Sequence, residues 1–400
     1  MNGARICNVY YNGFVKFILQ ETELLYIETY EQLASFCERA TKSDVLAIDT
    51  EFMREKTFYP KLCLIQLATR SEIVLIDPLS IPDLTDLRKL FLDKKITKIF
   101  HACSQDLELI YDIFSCLPKP VFDTQVAAAF LGHRFQIGYG PLVDALCHVH
   151  LPKAESLTDW ARRPLAEEQL EYAADDVRYL PRIYDTLLHE LKEKERYAWF
   201  LEEMHEVCSE HHVIKKPQEA YLHMRRISSL TRKQLAIARE IGIWRDDIAS
   251  HKDIPRKWVI PDEIVIDLCK SAPKTMERLE RIRSVDTLSI EDKQTLLQAI
   301  EKGVACPREL YPATKRHERA SQEMESVVDL MYALVRLQSE KTGVATQLLA
   351  TRDDLCAFVR GVSDTQLSDS WRFEMIGQKL QALMEGRVGL TVKDGKVELL

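Results

Sequence analysis

The sequence predicts an α/β fold in which one mixed β-sheet is flanked by helices, followed by a largely helical C-terminal half. In the first half, short apolar runs alternate with segments of helical periodicity, a pattern typical of a mixed sheet with flanking helices. The chain has 400 residues, 46% of them hydrophobic and only 13 glycines and 15 prolines, which favours well-packed helical structure. This length is sufficient for two or three domains.

A strand predicted at residues 45–48 ends in two carboxylates, Asp49 and Glu51. Because strand side chains alternate between faces, residues two apart point to the same side. Paired carboxylates of this kind suit Mg²⁺ or Mn²⁺. Since the chain has 62 acidic residues, an Asp-x-Glu pair alone is common, and its position at a strand end is what favours a site. Further strands at residues 62–68 and 73–76 predict an antiparallel meander.

Asp106 opens a predicted helix directly after a predicted strand at residues 96–100. A carboxylate in the first helical turn is also stabilised by the helix dipole, so a capping role is the alternative to a site role. Asp123 follows a short predicted strand in the same way. For Asp123 we favour capping, with a supporting role at the site as the alternative.

Tyr172 and Asp176 lie four residues apart in a helix predicted from residue 165 to about residue 194. Residues at this spacing share one helix face. Tyr172 is the one tyrosine of 14 with an aspartate four positions later. The alternative is an ordinary surface pair, which the small neighbours Ala173 and Ala174 disfavour. Asp176, and not Asp175, shares the face of Tyr172.

Acidic residues gathered from these segments would repel one another unless a cation neutralised them. In this order, Asp49-x-Glu51, Asp106 and Tyr172-x-x-x-Asp176 resemble the three motifs of the tyrosine branch of the DEDD 3′→5′ exonucleases. The histidine branch carries histidine where this chain has Glu171. The short sequences that contain these motifs or lie near them resemble those of the ribonuclease D family. They are Asp49-Thr-Glu-Phe, His101-Ala-x-Ser-x-Asp106, Phe122-Asp-Thr and Thr158-Asp-Trp160-x-x-Arg163-Pro164-Leu. Cys103 stands where that pattern leads us to expect glycine.

The resemblance implies a ribonuclease H-like fold with a five-stranded mixed sheet, and metal-dependent hydrolysis of RNA from its 3′ end. Two divalent ions, Mg²⁺ or Mn²⁺, would be held by Asp49, Glu51, Asp106 and Asp176, with Asp49 bridging them. Tyr172 would orient the attacking water, a role we rank above proton abstraction because a phenol has a pKa of about 10. Nucleoside 5′-monophosphates are the expected products, and precursor tRNAs are expected substrates by family analogy.

The second half resembles the HRDC domains of the same family, and this resemblance implies contact with nucleic acid. The match is stronger around Trp244-Arg245 and Pro261-Asp262-Glu263, and weaker around Glu340-Lys-Thr-Gly343. The predicted organisation is an extension (1–24), an exonuclease domain (25–213), an HRDC domain (218–303), an HRDC-like domain (308–388) and a tail (389–400). A terminal hairpin is predicted around Asp394-Gly395.

The net charge of −8 is unusual for a nucleic-acid-binding protein, so the distribution of charge matters more than the total. Residues 215–302 contain 18 Lys and Arg against 14 Asp and Glu. Most of this excess lies in one cluster, formed by Arg225, Arg226, Arg232, Lys233, Arg239, Arg245, Lys252, Arg256 and Lys257.

The 10 cysteines are scattered without a Cys-x-x-Cys pair, which favours a reducing cytoplasm over disulfides or zinc. No stretch approaches the length of a membrane span, and the N-terminus makes a poor signal peptide. In the absence of a long apolar stripe, a monomer is expected.

Two alternatives to the exoribonuclease use the same fold. A DNA proofreading or repair exonuclease would share the catalytic residues, and the ratio of activities on matched RNA and DNA strands separates the two. A catalytically dead RNA-binding scaffold would bind RNA without metal-dependent cleavage.

Overall fold

The computed structural model describes residues 9–11, 14–16, 23–152, 158–214, 216–313, 322–362 and 365–400. The chain packs as two compact units. The first unit is formed by Met1–Glu51, Leu62–Ser209 and Met324–Leu400, and the second by Phe52–Lys61 and Glu210–Glu323. The domain boundaries expected from the sequence stay predictions. Among the described residues, no helix combines the length and apolar character that crossing a membrane requires.

A mixed β-sheet forms the centre of the fold, and a short hairpin of β1 (Val9–Tyr11) and β2 (Phe14–Lys16) precedes it. The strands of the sheet are β3 (Glu23–Ile27), β4 (Val45–Met53), β5 (Lys61–Ala68), β6 (Glu72–Ile76), β7 (Thr97–Phe100) and β8 (Val121–Asp123). Their spatial order is β3-β6-β5-β4-β7-β8.

The direction of the strand pairs confirms the predicted mixed sheet. Strands β5 and β6 run antiparallel, whereas β3 runs parallel to β6, β7 to β4 and β8 to β7. Strands β4, β5 and β6 are neighbours in chain order, as their short links predict. The expected number of five strands is wrong: the sheet has six, because β3 and the three-residue β8 both pair as edge strands.

Within the described residues up to Val207, eight α-helices accompany the sheet. They are α1 (Tyr30–Ala40), α2 (Thr85–Leu92), α3 (Ser104–Phe114), α4 (Thr124–Phe130), α5 (Tyr139–Cys147), α6 (Glu167–Arg178), α7 (Leu180–Glu193) and α8 (Tyr197–Val207). The single helix predicted from residue 165 to 194 is therefore two helices. The break precedes Pro181, which has no N–H to donate and is tolerated only in the first turn of the new helix, α7.

The second unit is a bundle of helices around the 20-residue α10. Its helices are α9 (Glu210–Val213), α10 (Arg232–His251), α11 (Arg256–Val259), α12 (Asp262–Ser271), α13 (Met276–Glu280) and α14 (Ile290–Val304). The core of the bundle includes Trp244, Ile260 and Leu296. Gly303 of α14 allows the close approach of α10, since a Cβ there would lie 2.5 Å from the Cα of Ile237.

Much of the basic cluster predicted for this unit is used inside the unit. Arg245 contacts Asp262 at 2.7 Å, Arg256 contacts Asp246 at 2.5 Å, and Lys252 contacts Asp292 at 2.8 Å. Arg239 pairs with Glu240 at 3.1 Å. These cations therefore stabilise the bundle. Fewer cations are free to contact a phosphate backbone than the number of Lys and Arg residues in the cluster indicates.

The C-terminal helices pack within the first unit. They are α15 (Gln322–Thr342), α16 (Thr346–Leu349), α17 (Arg352–Val359), α18 (Gln366–Asp369) and α19 (Gln378–Met384). The guanidinium of Arg196, just before α8, donates to the carbonyl oxygens of Phe130 in α4 and Thr342 in α15, which joins these helices. The ring of Trp371 lies 4.9 Å from that of Phe130 and supports the same contact.

The tail forms the predicted terminal hairpin. Strand β9 (Leu390–Lys393) pairs antiparallel with β10 (Lys396–Leu399). The two turn residues, Asp394 and Gly395, have φ of 50° and 74°, as a two-residue turn of type I′ requires.

Arg163 binds the segment before α6 to the end of β6 and to β5. Its Nε and Nη2 atoms donate to the two carboxylate oxygens of Asp77 at 2.6 and 2.7 Å. Nη2 also donates to the carbonyl oxygen of Cys63 at 2.7 Å. The Asp77 side chain is 0% exposed, so its charge depends on this partner.

Arg163→Ala should lower the free energy of unfolding by about 3 kcal/mol, because it leaves a buried carboxylate without its cation. Thermal denaturation measures the effect as a lower Tm. Arg352→Ala is the control, because it removes an exposed arginine that pairs with Asp329 and Glu325 and should leave the Tm unchanged. Equal Tm values for the two variants would contradict this account.

Candidate active site

The end of β4 brings Asp49 and Glu51 to one side of the sheet. Residues 45–48 are fully buried, and beyond them the half-buried Asp49 and Glu51 flank the buried Thr50. This alternation has the period of two that a strand imposes. Both carboxylates therefore leave the core on the same face, as the sequence predicts.

Helix α6 supplies a third carboxylate to the same place. One carboxylate oxygen from each of Asp49, Glu51 and Asp176 lies within 4.8 Å of the other two. One helical turn earlier, the phenol of Tyr172 donates a hydrogen bond to Asp176. Asp175 points elsewhere and pairs with Arg178 at 2.9 Å.

Asp106 approaches from the first turn of α3 and is buried, with 8% of its surface exposed. Its Oδ1 accepts a hydrogen bond from Thr50 Oγ1 at 2.5 Å. Because Thr50 stands between Asp49 and Glu51, this bond ties α3 to the acidic end of β4. Asp106 is not one of the three residues whose carboxylate oxygens lie within 4.8 Å of one another, but its charge raises the pKa of Asp49.

Asp123 holds the backbone that presents Asp106. It caps α4, accepting from the amides of Gln125 and Val126 at 2.8 and 3.4 Å, which confirms the predicted cap. It also accepts from the amides of Ala102 and Cys103, at 3.1 and 2.8 Å, at the start of α3. One buried carboxylate thus fixes the N-termini of two helices, so Asp123 combines the predicted cap with the supporting role that was given as its alternative.

Cys103 occupies the position where glycine was expected. Its φ of −59° lies in the ordinary helical region, so the backbone there does not need glycine. The residue with the positive φ in this turn is Ala102, at 61°. The thiol of Cys103 is buried and fills core volume.

A groove of about 840 Å³ opens beside Tyr172 and Asp176. Aromatic rings contribute to its lining, with Trp160 at 6.0 Å from Tyr172 between ring centroids. Tyr139 also lines it, and its hydroxyl donates to the carbonyl oxygen of Asp175 at 2.8 Å. The site thus combines carboxylates with flat apolar surfaces large enough for a nucleotide.

Comparison with known proteins identifies both parts of the chain. Residues 24–192 match the family model of a 3′-5′ exonuclease, and residues 234–300 match that of the HRDC domain. The chain is 37% identical over 374 residues to the ribonuclease D of Sphingobium indicum, covering 92% of this chain and 96% of that protein. The chain belongs to the ribonuclease D family.

Other members of the ribonuclease D family support the assignment. The ribonuclease D of Bartonella henselae is 35% identical over 397 residues, covering 97% of this chain and 94% of that protein. The crystal structure of Escherichia coli RNase D, described as an exoribonuclease involved in structured RNA processing, matches with a TM-score of 0.78 and 30% identity. That match covers 91% of this chain and 99% of that chain. The predicted family and fold are therefore confirmed, and the chain is a hydrolase of the 3′→5′ exonuclease class.

The carboxyl groups of the site have raised pKa values. Burial, and then the charges of Asp176 and Asp106, raise the pKa of Glu51 to about 8. Burial raises the pKa of Asp176 to about 7 and that of Asp106 to about 6, although hydrogen bonds from Tyr172 and Thr50 oppose the shifts. Burial and the three neighbouring carboxylates raise the pKa of Asp49 well above its ordinary value. The protein alone therefore does not hold four negative charges here at neutral pH.

The donor set fits hard divalent cations. Asp49, Glu51 and Asp176 offer carboxylate oxygens at mutual distances that one ion can span, with Asp106 beside them. A bound cation supplies the positive charge that the raised pKa values show to be missing. The acidic cluster thus fits the divalent-metal dependence general among the DEDD exonucleases.

The metal-free protein should lose stability between about pH 5 and pH 8. Unfolded carboxyls titrate near pH 4 to 4.5, whereas folded Glu51 and Asp176 titrate near 8 and 7, so rising pH removes protons that stabilise the folded state. Thermal denaturation in a chelator measures this fall in Tm. Added Mn²⁺ should raise the Tm, and most strongly at pH 8.

Asp176→Asn should raise the metal-free Tm at pH 8 by removing repulsion, and should reduce the Mn²⁺-induced shift. Asp175→Asn is the matched control and should keep the wild-type Mn²⁺ shift, because Asp175 pairs with Arg178 outside the cluster. A wild-type Tm that responds neither to pH nor to Mn²⁺ would contradict the account.

Proposed function

We propose that this protein is a metal-dependent 3′→5′ exoribonuclease that hydrolyses RNA from the 3′ terminus and releases nucleoside 5′-monophosphates. The observation that carries the proposal is the convergence of Asp49, Glu51 and Asp176 within 4.8 Å, beside a groove with aromatic walls. Precursor tRNAs with 3′ trailers are among its substrates in this proposal. Support comes from the related Escherichia coli enzyme, whose substrates are described as structured RNA.

Four carboxylates hold the cations in this proposal: Asp49, Glu51, Asp106 and Asp176. When bound, two divalent ions, Mg²⁺ or Mn²⁺, would supply a water of lowered pKa and positive charge near the attacking and leaving oxygens. Asp49 would be the central metal ligand, because the charges of Asp106, Asp176 and Glu51 all act on it. Thr50 positions Asp106 through its hydrogen bond, and Asp123 positions the helix that carries Asp106.

Tyr172 orients the attacking water and does not serve as the base. Burial and the charges of Asp176, Glu51 and Asp49 raise the pKa of its phenol, so the hydroxyl keeps its proton at neutral pH. A protonated phenol fixed by Asp176 can donate one hydrogen bond and accept another. The phenol therefore selects the position and orientation of the water.

Asp49→Ala and Asp176→Asn should abolish cleavage, because each removes a metal ligand, and should leave the fold intact. Tyr172→Phe should slow cleavage on the order of 100-fold while keeping Mn²⁺ binding, since it removes only the orienting hydroxyl. Glu108→Gln is the control and should keep wild-type activity, because it changes an acid of α3 outside the cluster.

The assay uses a 3′-extended RNA with Mg²⁺ or Mn²⁺ and resolves products at single-nucleotide steps. Stepwise shortening that releases 5′-monophosphates is the expected result, with a matched DNA strand cut more slowly. Full activity of Asp49→Ala, or faster cleavage of the DNA, would contradict the proposal. RNA binding without cleavage under either metal would assign the chain to the scaffold class.

A further inference from the structure

The segment Phe52–Lys61 belongs to the second unit and is fastened there by its backbone. The amides of Phe58 and Tyr59 both donate to Asp253 Oδ1, at 3.0 and 3.1 Å. Asp253 follows α10 and has a positive φ of 45°. Two hydrogen bonds to one carboxylate oxygen therefore fix the position of residues 58 and 59 on the helical bundle.

A chain of ring contacts then holds the side chain of Tyr59. Asp246 binds the Arg256 guanidinium at 2.5 and 2.7 Å through two parallel hydrogen bonds. That guanidinium lies 4.7 Å from the centroid of the Phe58 ring. The Phe58 ring contacts the Tyr59 ring edge-on at 4.9 Å. The orientation of Tyr59 thus depends on a partly buried ion pair two contacts away.

Two large aromatic side chains of the second unit remain exposed, one at the end of this stack and one in α11. Tyr59 is 52% exposed, although its backbone and one ring edge are fixed. Trp258 is 55% exposed and lies in α11, two residues after Arg256, while the next residue, Val259, is buried in the core. Exposing rings of this size on a rigid backbone costs hydrophobic free energy, which a binding partner would recover.

The charges of this surface favour an anionic partner. Two of its acidic side chains are already used, Asp253 by two amides and Asp246 by Arg256. The third, the exposed Glu55, lies between Arg54 and Lys56, so one carboxylate faces three cations when Lys257 is counted with them. Within the described part of the chain, Lys257, Arg54 and Lys56 make no ion pair. Lys257 adjoins Trp258, and Arg54 and Lys56 lie in the same segment as Tyr59. Uncompensated cations therefore accompany exposed rings.

We propose that Tyr59 and Trp258 form a stacking surface for the bases of single-stranded RNA, with Lys257, Arg54 and Lys56 contacting its phosphates. Planar rings fixed beside free cations are the combination that binds single strands without sequence preference. The choice of RNA as the ligand rests on the proposed function. The surface would bind RNA and would leave hydrolysis to the carboxylates.

The test measures the affinity of the full chain for a fluorescent single-stranded oligoribonucleotide by anisotropy, in a chelator that prevents cleavage. Trp258→Ala and Tyr59→Ala should each weaken binding roughly 10-fold, and the double variant should weaken it further. Trp258→Phe and Tyr59→Phe keep a ring and should stay within about 3-fold of wild type, since stacking tolerates any aromatic face.

Two variants serve as controls for the loss of an exposed apolar side chain. Ile290→Ala removes a 72% exposed residue from the same unit, and Tyr30→Ala removes a 44% exposed ring from the first unit. Both should bind RNA as wild type does. Thermal denaturation of all variants verifies that the fold is retained.

Hydrolysis of a dinucleotide separates this inference from the proposed function. Trp258→Ala keeps every carboxylate of the active site, so it should cleave a dinucleotide at the wild-type rate. It should cleave long RNA more slowly at low RNA concentration, because it loses stacking on further bases. If the variants lose RNA affinity and the wild-type protein cleaves no RNA, the stacking surface is supported and the proposed function is contradicted. Unchanged RNA affinity in the double variant would overturn the stacking surface. A double variant that changes its oligomeric state but keeps its RNA affinity would overturn it as well.

Discussion

The repulsion among carboxylates at the end of β4 is the constraint on which the rest of the site depends. Asp49, Glu51 and Asp176 lie within 4.8 Å, and Asp106 adds its charge from α3. Their raised pKa values show that the folded chain pays an electrostatic penalty for this arrangement in the absence of a cation. The surrounding scaffold must be stable enough to hold the carboxylates in place against that penalty.

Two kinds of contact provide that scaffold. Close to the carboxylates, Thr50 fixes Asp106, and Asp123 fixes the start of α3 through backbone amides. Farther away, Arg163 holds the segment before α6 against the buried Asp77. Each contact joins residues far apart in the chain, so the site forms only when the whole sheet and its helices are in place.

The sequence predicts the residues of the site better than it predicts the contacts that hold those residues in place. A period of two places Asp49 and Glu51 on one face, and a spacing of four places Tyr172 with Asp176, because these relations follow from local geometry. The second pair of amides bound by Asp123 comes from another helix, which no local pattern reveals. The break before Pro181 was visible in the sequence and was missed. The ion pairs of Arg245 and Arg256 depend on tertiary packing, so a count of basic residues overstated the free charge.

Anomalous X-ray scattering from crystals grown with Mn²⁺ would test the central claim most directly. The account predicts Mn²⁺ bound to oxygens of Asp49, Glu51 and Asp176, with Asp106 completing the ligand set. It also predicts that the same experiment on Asp176→Asn shows reduced occupancy. An acidic cluster that stays free of Mn²⁺ at saturating concentration, with carboxylates in unchanged positions, would contradict the account.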